Sequence, residues 1–138
     1  MRYRRWSVSL LSALVAVGIL AATADAKLTA HFQQTRVSGG RTVAVVLTSA
    51  EASPVHAALV RRSNAWAAER GNTAVLLAIA PAVGFMHSVP SRASISTQGL
   101  SRGTYLLVLR VQQPSGKWLS YVPALFVQHR TSVTLHIS

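Results

Sequence analysis

Leu100-Ser101-Arg102-Gly103-Thr104-Tyr105-Leu106-Leu107-Val108-Leu109-Arg110-Val111 carries the strongest strand signal in the sequence. From Thr104 onward it is rich in leucine, valine and tyrosine, residues that suit a pleated and packed backbone. Residues 98–103 read as a turn before it, and Pro114-Ser115-Gly116 turns the chain after it. The next segment, Trp118–Gln128, reads as a strand that Pro123 makes an edge or a bent one. Ser132–Ile137 closes the chain, with Val133, Leu135 and Ile137 on one face and Ser132, Thr134 and His136 on the other.

The same period-two rhythm runs upstream. Leu28, Ala30 and Phe32 alternate with Thr29, His31 and Gln33, and Ser38-Gly39-Gly40 turns the chain into Val43, Val45 and Leu47. Val55–Val60 predicts a third strand after the break at residues 50–54. Ser63 is placed to cap a short helix over residues 64–70, closed by Gly71. Thr73–Ala80 is an almost continuous apolar run, which predicts a strand buried on both faces. Residues 81–90 predict a loop holding Phe85 and Met86, and a weaker strand follows over Arg92–Thr97. Seven or eight short strands with turn signals between them predict an all-β fold, an antiparallel β-sandwich.

Leu100, Gly103 and Tyr105 form the pattern L-x-x-G-x-Y ahead of the Leu106–Leu109 run. This stretch resembles the lead into strand F of fibronectin type III-like and related immunoglobulin-like domains. The resemblance implies an immunoglobulin-like sandwich and a structural role for Tyr105, whose hydroxyl would bond back to the backbone at the corner. The Cys…Trp…Cys pattern of true immunoglobulin domains is absent. The resemblance speaks to architecture and is silent on function.

The other end of the chain gives an address. Arg2, Arg4 and Arg5 precede an apolar stretch from Val8 to Ala22, and Ala24-Asp25-Ala26 supplies a small-x-small exit. Charged start, apolar middle and small-residue exit predict a secretory signal peptide over residues 1–26, cleaved after Ala26. The stretch is shorter than the about 20 apolar residues that a spanning helix needs. Arg4-Arg5 alone does not make a twin-arginine signal, and Sec export is the expectation. The chain has no cysteine, which excludes disulfides and a lipoprotein anchor on cysteine. A bacterial periplasmic or secreted protein is therefore expected, with residues 27–138 as one domain held by its core.

Charge and chemistry narrow the functional classes. The whole chain carries a formal net charge of +11. Beyond Ala26 the acids are Glu51 and Glu69, set against Lys27, Lys117 and nine arginines. Such an excess attracts anionic partners. Glycosidase-type carboxylate pairs would need Glu51 and Glu69 together, and calcium or magnesium sites need more carboxylates than remain. There is no G-x-S-x-G, P-loop or H-E-x-x-H pattern. Met86-His87 offers half of a soft-ligand copper site and lacks the other half. No enzyme activity, cofactor or metal is expected.

Loops then become the candidate contact surfaces. If successive strands alternate in direction, the turns at 37–41, 61–72, 98–103 and 129–131 share one end of the sandwich. That end would gather Arg36, Arg41, Arg61, Arg62, Arg70, Arg102 and Arg130 around Trp66, where arginine and an aromatic can grip an anionic partner. Phe85 and Met86 would lie at the opposite end. The candidate partner-binding residues are thus Trp66, Arg61, Arg62, Arg70, Arg102, Phe85 and Met86. The expected function is a binding or accessory module of the cell envelope, with another envelope protein or an anionic polymer as partner. Nucleic acid is the less favoured polymer, and the membrane is met only through the signal peptide.

Overall fold

A computed structural model describes residues 28–49, 53–84, 89–127 and 130–138. The signal-peptide segment, Glu51, Phe85, Met86 and His87 lie outside the described residues. In chain order the strands are β1 (Thr29–Phe32), β2 (Arg36–Val37), β3 (Thr42–Thr48), β4 (Val55–Arg61), β5 (Ala78–Ile79), β6 (Ser91–Ser96), β7 (Gly103–Gln112), β8 (Trp118–Tyr121) and β9 (Thr134–Ile137). One short helix, α1 (Ala65–Glu69), follows β4.

The strands form two sheets, and the protein is mostly β. A three-stranded sheet runs β1-β3-β6. A six-stranded sheet runs β2-β9-β7-β4-β5, with β8 also paired to β7. All pairs are antiparallel except β2 with β9, which is parallel. The centre of the second sheet is the β4–β7 pair, in register from Val55 opposite Val111 to Arg61 opposite Tyr105. Val43, Val45 and Leu47 of β3 are buried while Thr42, Ala44, Val46 and Thr48 are not, so the smaller sheet has one buried face.

The larger sheet is different, because β4 and β7 are buried on both faces. Ala57, Leu59, Tyr105, Leu107 and Leu109 share one face, and Ala58, Val60, Leu106 and Val108 the other. The Tyr105 face stays buried through Leu135 and Ile137, as the contact between sheets requires. The opposite, outer face is buried at its centre and half-exposed towards both ends. There Thr104 and His136 stand at one end, His56 and Arg110 at the other. A third layer covers the centre. Helix α1 touches β4, β7 and β8 and buries Ala65 and Ala68. The 3-10 turn Pro123–Leu125 lies on β7 and buries Pro123 and Ala124.

Three features depart from the sequence expectation. The first is the helix start, where Ser63 lies within a 3-10 turn over Arg62–Asn64 and Asn64 precedes the helix without a side-chain capping bond. Thr73–Ala80 is not a doubly buried strand. Asn72 Oδ1 accepts the Ala74 N–H and starts a 3-10 turn over Thr73–Val75, leaving β5 as a short edge element. It bonds to β4 alone, through Leu77 N to Leu59 O and Ala80 N to Ala57 O. Leu77 and Ile79 accordingly stand 41% and 52% exposed. Nor does the strand from Trp118 reach Gln128. Pro123 lacks the N–H that pairing needs, and β8 ends at Tyr121 in the 3-10 turn.

Candidate functional site

The third layer carries an aromatic cluster at its surface. Trp66 of α1 and Phe126, just past the Pro123 turn, meet edge to face with centroids 5.9 Å apart. Phe126 in turn stacks on Tyr121 at 5.6 Å. Trp66 is 53% exposed and Phe126 48%, so half of each ring faces outward. The cluster is held from beneath by Glu69, whose carboxylate accepts the Val122 N–H at 2.7 Å. Burial pushes the Glu69 carboxyl up, and the Val122 bond partly opposes that. Burial, then the neighbouring Glu69 charge, pushes the Tyr121 phenol up to about 12. Glu69 is the sole acidic side chain among the described residues.

The candidate arginines Arg61, Arg62, Arg70 and Arg102 fall in turns that share one end of the sheets, the turn carrying Trp66 among them. Strand directions put turns 37–41, 61–72 and 98–103 at one end, since Arg61 pairs Tyr105 and Thr42 pairs Ser96. Arg61 donates Nη2–H to Ser101 Oγ at 3.0 Å and lies over the Tyr105 ring, 5.5 Å from its centroid. The Tyr105 hydroxyl donates to the Ser101 carbonyl oxygen, closing the corner ahead of β7. Leu100 packs partly buried against the core, and Gly103 takes a φ of +152° that other residues rarely adopt. Arg62 and Arg70 are exposed on either side of α1, and Arg102 is exposed beside Gly103. Arg130 does not join this end. Strand β9 runs from Thr134 opposite Leu106 down to Ile137 opposite Gly103, so the turn before it lies away from the arginines.

Trp66 sits on the short helix between exposed Arg62 and Arg70. Its ring partner is Phe126, which the sequence had absorbed into an over-long strand. Among the described residues, the rings that lie under guanidinium groups are Tyr105, under Arg61, and Trp118, under Arg110 at 5.5 Å. Trp118 also contacts His56, with ring centroids 4.8 Å apart, and His56 Nδ1 bonds the Ala80 carbonyl at 2.8 Å. Among the described residues, Arg110 Nε is buried without a hydrogen-bond partner, and the indole is what its guanidinium has beside it.

Sequence reasoning also passed over a second basic position. Parallel pairing sets Arg36 beside His136, and antiparallel pairing sets His136 beside Thr104. These side chains line an open depression of about 470 Å³ together with Arg102 and Ser138. A parallel contact between residues so far apart in sequence leaves no local signal.

No group of three or more metal-ligating side chains occurs among the described residues, and no described helix is long and apolar enough to cross a membrane. No protein-family model matches the chain, and no curated protein matches it significantly.

Proposed function

We propose that the protein is an exported, immunoglobulin-like module of the bacterial cell envelope that works by binding another protein. The architectural part rests on topology. β1, β3 and β6 make one sheet, while β4, β7 and the last strands make the other around a tyrosine-closed corner, as in such sandwiches. Export to the periplasm or beyond rests on the charged, apolar and small-residue parts of residues 1–26.

The binding part rests on one observation: Trp66 and Phe126 stand half exposed on a layer whose underside is fixed to the sheet. Exposed aromatic side chains on a rigid base make good anchors for a protein partner, because few rotamers are lost on contact. Exposed Arg62 and Arg70 flank the helix that carries Trp66, so a complementary surface would offer an apolar knob ringed by acidic side chains. Glu69 accepts the Val122 N–H and so ties two segments together, which suits a structural role.

The test is a photo-crosslinking residue placed at Arg70 in cells, followed by mass spectrometry. One reproducible protein partner, lost when Trp66→Ala and Phe126→Ala are combined, is the expected outcome. Unchanged capture by that folded double variant would sink the aromatic face as the contact. A second reading, binding of an anionic polymer, is favoured by the shared end of Arg36, Arg41, Arg61 and Arg102 and would be marked by steep weakening with salt.

A further inference from the structure

We propose that the row Arg36–His136–Thr104, with Arg102 at its end, is a specific binding site for phosphate groups of an anionic polymer. This gives a location to the polymer reading above, and it stands independently of the protein-partner reading.

The row is built by pairing rather than by loop chance. Cα pairing sets Arg36 beside His136 and His136 beside Thr104, which brings three side chains to one face of adjacent strands. Arg102 is two residues before Thr104 and lines the same depression. Thr104 Oγ1 and His136 Nδ1 are 3.2 Å apart, a bond that holds the imidazole in place. With the hydroxyl as donor to Nδ1, the ring offers its Nε2–H as a third donor group beside two guanidinium forks. Ser138 closes one side, and its backbone oxygen accepts the Gly39 N–H at 3.2 Å.

The chemistry of this set selects a tetrahedral oxyanion. Arginine forks bond phosphate oxygens in pairs and retain charge at any physiological pH. The depression is open, so it suits a group carried on a chain and not an enclosed small ligand. Arg61 and Arg41 lie at the same end and extend the positive potential along a bound chain. A lipid surface fits less well. Membrane docking needs apolar side chains beside the basic ones, and among the described residues none of the exposed large hydrophobics lines this depression.

The experiment is fluorescence anisotropy of labelled linear polyphosphate with the purified protein, over a range of salt. Arg36→Gln and Arg102→Gln are each expected to weaken binding about ten-fold and to lower the salt slope by about one. Arg36→Lys, which keeps charge and loses the fork, should fall between Arg36→Gln and the parent. Arg92→Gln is the control: its Nη1–H donates to Gln33 Oε1 at 2.9 Å on the smaller sheet. Equal weakening by Arg92→Gln would mean diffuse charge and would overturn the site, as would absence of binding. Capture of phosphatidylglycerol vesicles without polyphosphate binding would move the contact to a membrane and overturn the polymer. None of these results bears on crosslinking through the aromatic face, so the two proposals fail separately.

Discussion

The Glu69 carboxylate and the Val122 N–H, 2.7 Å apart, tie the short helix after β4 to the segment after β8. Two pieces of chain with no strand pairing between them become one surface layer through this bond. Glu69 also makes this tie sensitive to pH. Burial raises the Glu69 carboxyl above its ordinary 4.5, so the folded state holds its proton more tightly than the unfolded chain. The resulting stability is complete below 4.5 and is lost as pH rises through the folded value. Glu69→Gln keeps an oxygen for Val122 and carries no charge. Its melting temperature should match the parent in acid and exceed it at neutral pH, and curves parallel at every pH would contradict the shift.

Tyr121 gives a spectroscopic counterpart. Its phenol is raised to about 12, by burial first and by the Glu69 charge second. Phenolate absorbance should show a late step near that value, absent in Tyr121→Phe and displaced downwards in Glu69→Gln. Because the folded value lies above the ordinary 10.0, stability should decline as pH passes from there through about 12.

The corner at Tyr105 predicts a loss without a change of shape. Its hydroxyl donates to the Ser101 carbonyl and its ring lies under Arg61. Tyr105→Phe keeps the ring and drops the bond, at a cost of about 1 kcal/mol in urea unfolding with an unchanged slope. A neutral result would mean that solvent replaces the bond without penalty.

Burial on both faces of β7 predicts that neighbouring leucines are equally costly to lose. Leu107 lies on the Tyr105 face at 0% exposure, and Leu106 on the outer face at 5%. Truncation to alanine should cost about 3 kcal/mol at either position. If only Leu107→Ala destabilised the protein, α1 and the Pro123 turn would not be a packed layer.

That layer marks the boundary of what the sequence could tell. The two-sheet, all-β arrangement was legible because alternation at Val43–Leu47 and the Thr104–Val111 run report local geometry. Thr73–Ala80 misled because apolar content does not say how many neighbours a strand has, and β5 has one. Phe126 was missed because its place depends on where Pro123 stops β8. Arg36 and His136 were named singly, yet their adjacency follows from a parallel pairing between opposite ends of the domain. Trp66 was found as an exposed aromatic, while its partner required the fold.

One edge of β7 is shared by two strands in succession: β9 pairs with Gly103–Leu106 and β8 with Leu109–Gln112. They behave as halves of a single strand from which residues 122–133 depart and to which they return. Each half keeps its own register on β7, so the two pairings are set by separate stretches of sequence. This edge of the strand is thereby covered by two separate stretches of chain, much as two short planks span one gap.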